Sequence, residues 1–130
     1  MVNFSTHLKI AAIVGIGGGC GSILRYLVSV YIGGSHETFP WHTFVVNTVG
    51  CFLMGALTEY TALYWSISYE LKTFLTVGFL GGFTTFSSFA LDFGSLYSKG
   101  QMLTAITYLV ITNVGVVFSF FAGEFLIKNV

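Results

Sequence analysis

Gly78 to Phe89 read G-F-L-G-G-F-T-T-F-S-S-F, inside an apolar segment long enough to cross a bilayer. Gly81, Gly82, Thr84 and Thr85 stand where a spanning helix ordinarily carries Leu, Ile or Val. In hydrocarbon every backbone N–H and C=O needs a partner, so a loosened backbone is tolerated only where it faces protein or a water-filled cavity. Phe79, Phe83, Phe86 and Phe89 are threaded through the same stretch. A broken span that carries hydroxyls and aromatic rings predicts an ion site rather than a plain anchor. If the helix unwinds between Gly81 and Thr84, carbonyls lose their intrahelical donors there and a cation can satisfy them. One chain offers too few such oxygens for a closed site, whereas two chains meeting at this point supply twice as many.

The surrounding composition is that of a membrane protein. Of 130 residues, 55% are hydrophobic and 8% charged, against about 25% charged in soluble proteins. The formal net charge is zero, so no electrostatic patch argues for nucleic acid. Cys20 and Cys51 both fall in apolar runs and are too few for a disulfide framework or a zinc site. The apolar run that starts near Ile10 continues for about 20 residues without an A-x-A-type site, so no cleavable signal peptide is expected.

Working outward from the broken stretch, the pattern predicts an all-α membrane protein. It forms one domain, residues 1–130, with four spans at about 8–32, 41–64, 70–97 and 101–127. Gly33-Gly34-Ser35-His36-Glu37-Thr38 closes the first span with loop residues. Pro40, the only proline, precedes the second, where its fixed φ suits a helix start. Trp41 and Trp65 bracket that span like headgroup-level anchors. Ser98-Lys99-Gly100 makes a tight turn into the fourth span. Each span comes to roughly 35–40 Å, enough to cross with some tilt. Lys9, Lys72 and Lys128 fall on the terminus side, and Lys99, with Arg25 a further candidate, on the other. This weak bias is compatible with insertion both ways round, hence an antiparallel dimer, or with one orientation set by the three lysines.

Several residues are candidates for chemistry, each with a plainer use. Gly17 and Gly21 form a G-x-x-x-G pair that lets another helix approach closely. A dinucleotide fingerprint fails because Ser22 stands where the third glycine belongs. Arg25 either snorkels to the headgroups or points into a water-filled vestibule and attracts anions. Asn47, with Thr43 one turn earlier on the same face, either glues the bundle through an interhelical hydrogen bond or offers amide N–H groups to an anion. Thr104, Tyr108, Thr112, Gly115 and Ser119 share one face of the fourth span, and Thr84, Ser88, Asp92 and Ser95 one face of the third. Such hydroxyls can bond back to their own helix. Two stripes together with Asn47 offer a path of donors with almost no fixed charge, suited to a small, strongly hydrated ion. Phe86 and Phe89 either face lipid or core, or present their positive ring edges to an anion.

Taken together, G-G-G-C-G-S-I-L-R-Y (17–26), V-V-N-T-V-G-C-F-x-x-G (45–55) and the opening motif resemble, in order and spacing, the Fluc/CrcB family of small bacterial fluoride channels. The resemblance covers all four spans. It implies a passive fluoride-exporting channel in the inner membrane, built as an antiparallel dual-topology homodimer with two pores and a structural sodium ion at its centre. By motif position, the carbonyls of Gly81 and Thr84 resemble the sodium ligands. Phe86 and Phe89 resemble the pore phenylalanines, Asn47 the pore asparagine, and Tyr108 and Thr112 the polar track, with Ser88 placed beside them. Arg25 resembles the vestibule arginine, with Asp92 assigned there too. Thr112 stands where the family commonly has serine and Asp92 where it has glutamate; both departures keep the hydroxyl or the charge.

The residues also weigh against other classes. A small dual-topology drug exporter needs a carboxylate deep in its first span for proton coupling, and residues 8–32 contain no Asp or Glu. A purely structural membrane subunit explains the glycines but leaves the hydroxyl stripes without use. No catalytic constellation is present, so the chain is not expected to be an enzyme.

Overall fold

The computed structural model describes residues 3–33 and 38–130. The predicted loop at 34–37 lies outside the described residues. Among them the chain is entirely helical, in four rods. The first is α1 (Phe4–Ile32) and the second α2 (Trp41–Leu63). The third rod is composite: α3 (Tyr69–Thr73), a π-helical turn π1 (Phe74–Leu80), α4 (Gly81–Phe83) and, after an interruption, α5 (Phe86–Ser98). The last is α6 (Met102–Lys128).

Three rods are long and apolar enough to cross a membrane: 4–32, 69–98 and 102–128. The second, 23 residues, reaches about 35 Å but is less apolar than the sequence reading assumes. Thr43, Asn47, Thr48 and Glu59 dilute it, and Thr43 and Asn47 are buried. Thr43 and Asn47 turn into the bundle, where Asp92 and the Thr85 backbone satisfy them.

Packing follows two seams. α1 runs along π1 and α4, and α2 along α6. Lipid is as apolar as leucine, so helices in a bilayer associate through close backbone approach and hydrogen bonds. The G-x-x-x-G pair of α1 does this against the third rod of the same chain. A Cβ on Gly17 would stand 2.8 Å from the carbonyl oxygen of Phe74, and one on Gly21 would run into the backbone of Phe79 and Phe83. Gly82 answers from the other side, its missing Cβ leaving room for the backbone of Gly18. In the second seam Gly55 lies against the backbone of Phe120 and Gly123 against that of Phe52 and Ala56.

The sequence reading did not anticipate the π turn. It widens the helix by one residue per turn where α1 presses against it. The turn from α5 into α6 matches its expectation: Gly100 has φ +73 and the Gln101 N–H donates to the Leu96 carbonyl at 3.0 Å. A small core of Phe89, Leu96, Ala105 and Tyr108, flanked by Phe39, Phe44 and Phe93, lies where α5 meets α6. Most other large apolar side chains face outward, as expected of a body solvated by lipid.

Gly21→Ala forces a methyl into backbone that cannot retreat, and overpacking of this kind costs about 1–3 kcal/mol. Thermal unfolding in mild detergent is expected to fall by several degrees for Gly21→Ala. It should not fall for Gly94→Ala, whose new methyl meets nothing within 4 Å and which removes a flexible residue from a helix.

Candidate functional site

The interruption consists of two extended residues. Thr84 has φ −78, ψ 156 and Thr85 φ −152, ψ 118. The first half-helix closes with the Thr84 N–H donating to the Leu80 carbonyl at 3.0 Å. The second opens on the side chain of Thr85, whose Oγ1 accepts from the Ser88 N–H at 3.1 Å. This places the break two residues later than the glycines suggest. Gly81 and Gly82 remain helical, and Gly82 is there for the contact with α1. The threonines make the break: a β-branched residue is comfortable extended, and a threonine hydroxyl is a ready N-cap.

Extended backbone inside a bundle leaves groups to be satisfied, and Asn47 satisfies them. Its Nδ2 donates to the Thr85 carbonyl at 3.0 Å, and its Oδ1 accepts from the Thr85 N–H at 2.7 Å. The side-chain amide thus pairs with Thr85 as a neighbouring strand would. Asn47 is 8% exposed. Of the two uses open from the sequence, the interhelical bond is the one realised, and one amide N–H is left over.

Beside this pairing lies a cavity of about 190 Å³ lined by Asn47, Thr84, Thr85, Phe86, Phe89, Thr112 and Asn113 among others. Phe89, 5% exposed, stacks on Tyr108 with ring centroids 5.1 Å apart. Phe86 lies 5.3 Å from Phe89, yet is 75% exposed. The Thr112 hydroxyl is buried in this wall without a protein partner. On the far side of Thr85 is a second cavity of about 260 Å³, lined by Ser22, Arg25, Tyr26, His42, Thr43, Thr85 and Ser88 among others. The Arg25 Nε donates to the Gly82 carbonyl at 3.2 Å and Ser22 Oγ to the same oxygen at 3.4 Å. Arg25 thus lines this second cavity and is held there by the Gly82 carbonyl. Close by, Asp92 Oδ2 accepts from Thr43 Oγ1 at 2.6 Å and from the Tyr108 hydroxyl at 3.2 Å.

The two expected stripes are partly assembled. Tyr108 and Thr112 are buried, while Thr104, Gly115 and Ser119 are half-buried. Ser88 accepts a hydrogen bond from Thr85 Oγ1 at 3.0 Å, while Asp92 forms a separate cluster with Thr43 and Tyr108. Ser95 is exposed and outside it.

The break also frees carbonyls. Gly81 and Thr84 lie at the end of the first half-helix, and among the described residues no donor reaches their oxygens. Hard cations take oxygen ligands of this kind. Among the described residues no group of three or more His, Cys, Asp or Glu is placed to hold a metal, so backbone oxygen is the ligand class these residues fit.

The sequence reading set Thr85 in the loosened stretch but gave it no part in the site, and it gave none to Ser22 or His42. The spacing of Thr85 and Ser88, cap and third residue of α5, was the available clue.

The family described as "CrcB-like protein, Camphor Resistance (CrcB)" matches residues 12–124 of the chain. A protein of Agrobacterium fabrum named "Fluoride-specific ion channel FluC" is 44% identical over 119 residues, covering 91% of this chain and 95% of the relative. One of the same name from Rhodospirillum centenum is 43% identical over 123 residues, covering 94% and 98%. Another, from Rhizobium meliloti, is 42% identical over 118 residues, covering 89% and 94%.

Asn47→Ala would strand the N–H and carbonyl of Thr85 in a buried site, at a cost of about 1–3 kcal/mol. Faster hydrogen–deuterium exchange at the Thr85 amide and a lower unfolding temperature in detergent are expected. Asn47→Asp should fall between Ala and wild type, since a carboxylate still accepts from the N–H but cannot donate to the carbonyl.

Proposed function

The chain belongs to the CrcB-like family, and from that premise we propose that it is a passive, fluoride-selective channel of the inner membrane. The single observation that carries the reading is the donor-rich, nearly uncharged wall around the interrupted third rod. It occurs in a chain 44% identical to a protein named as a fluoride-specific channel.

Fluoride holds its water tightly, so a route through the bilayer must replace lost water with fixed donors. The spare N–H of Asn47 and the unpartnered hydroxyl of Thr112 supply them. Ser88 adds a hydroxyl in the wider cavity, and Tyr108, whose own hydroxyl donates to Asp92, packs against Phe89. The edges of Phe86 and Phe89 add positive quadrupole without a hydrogen bond. Arg25 collects anions in the wider cavity, and Asp92 fixes Thr43 and Tyr108. Such closely set donors favour the smallest halide and exclude larger ones by width. The membrane potential drives the flow: an anion gains about 2.3 kcal/mol per 100 mV on leaving a negative interior.

Assembly belongs to the same reading. Two copies meet antiparallel at the interruption, which lies midway along the 30-residue rod and is read as lying at mid-membrane. The exposed Phe86 of each copy then completes a pore wall, giving two pores per dimer. The carbonyls of Gly81 and Thr84 from both copies would hold a sodium ion, which when bound supplies a hard positive charge pinning the half-helix ends together.

Purified protein in liposomes, with potassium current balanced by an ionophore, is expected to release fluoride and retain chloride. Chloride release at a comparable rate would refute selectivity. Phe86→Ile and Phe89→Ile should each slow fluoride release by roughly three- to tenfold, matching about 0.5–1.5 kcal/mol of lost ring interaction, with the dimer intact on sizing. Exchange of sodium for a larger monovalent cation should shift the dimer toward monomer in detergent; an unchanged dimer after prolonged exchange counts against the cation site.

A further inference from the structure

The narrower cavity carries a second amide that the channel reading leaves without a task. Asn113 stands near the middle of α6, directly after Thr112, and lines that cavity together with Asn47, Thr112 and Phe86. Like Phe86 it is exposed, so it stands at the rim of the cavity and not in its depth. Its Nδ2 donates to the Leu109 carbonyl at 2.7 Å, a bond back to its own helix. A side-chain amide has two N–H donors and an acceptor oxygen. That bond uses one donor, and among the described residues no protein group takes the other. On its outer side lies an apolar groove of Val114, Val117, Phe118 and Phe121, which offers an amide nothing. Hydrocarbon makes an unmatched polar group costly, and polar side chains at this depth serve the interior of the protein or an ion path.

Resting on the channel reading, we infer that Asn113 is a further fluoride-coordinating residue of this cavity. Its free N–H forms, with the spare N–H of Asn47 and the Thr112 hydroxyl, a set of three donors around one ion. Asn47 comes from α2, and Thr112 and Asn113 from α6. Successive residues on a helix point about 100° apart, so the last two reach the same space from different angles, the buried hydroxyl from within and the amide from the rim. A hydrated anion must exchange water for fixed donors, and a donor at the rim lets that exchange begin before the ion reaches the depth of the cavity. A hydrogen bond to a charged group is among the stronger kinds, so losing this one slows passage by roughly tenfold or more.

The test is fluoride release from liposomes reconstituted so dilutely that many vesicles carry no channel. The fraction of vesicles that empties then counts folded, assembled protein, and the rate of emptying reports passage through each channel. Asn113→Leu, which keeps the size and removes the donor, is expected to keep the wild-type fraction and to slow the rate by roughly tenfold or more. Asn113→Ser, which keeps a shorter donor, should fall between the two. An unchanged rate in Asn113→Leu overturns the inference. So does a smaller fraction that empties at the wild-type rate, which would make Asn113 a packing contact. Asn113→Ser decides by the same two readings if Asn113→Leu does not assemble. Absence of fluoride release from wild-type vesicles would instead sink the channel reading itself.

Discussion

A backbone amide pair that leaves its helix inside a bilayer must find partners within the protein, because hydrocarbon offers none. Asn47 meets that requirement for Thr85 with both ends of one amide, and much of the rest follows from it. The third rod can run as two half-helices because this side chain stands in for the missing helical bonds. Thr85 can then spend its hydroxyl on capping α5, and among the described residues the carbonyls of Gly81 and Thr84 are left without a donor. Removing the amide would undo an interruption, a cap and a cavity wall together.

The glycines serve a different purpose. In water a cleft between helices closes through the hydrophobic effect; in lipid it closes only where backbones can touch. Gly17, Gly21 and Gly82 let α1 lie against π1 and α4 closely enough for Arg25 and Ser22 to reach the Gly82 carbonyl. Close packing thus places the cationic side chain, and Arg25 does not act alone at its site.

Much of this was legible in the sequence. Apolar runs, flanking tryptophans and loop residues located the four rods, and the Gly78–Phe89 motif located the interruption. The hydroxyl spacing on the last rod marked Tyr108 and Thr112. What escaped notice was of two kinds. The π turn has no compositional mark, since Phe74–Leu80 reads like any apolar helix. The exact break was misassigned because glycine is the usual sign of loosened backbone, whereas these glycines are demanded by a neighbour that only the fold supplies. The less apolar second rod was overestimated for a related reason: Thr43 and Asn47 are turned inward, and a linear reading cannot say which way they turn. Thr85 and Ser22 were given no part because each matters through partners distant in sequence.

The two cavities share one lining residue, Thr85. Its Oγ1 is tethered to the Ser88 N–H and lies within hydrogen-bonding reach of the hydroxyls of Ser87 and Ser88. A β-branched side chain so tethered has one rotamer to occupy. Thr85 is therefore a fixed piece of the partition the two chambers share, rather than a swinging gate.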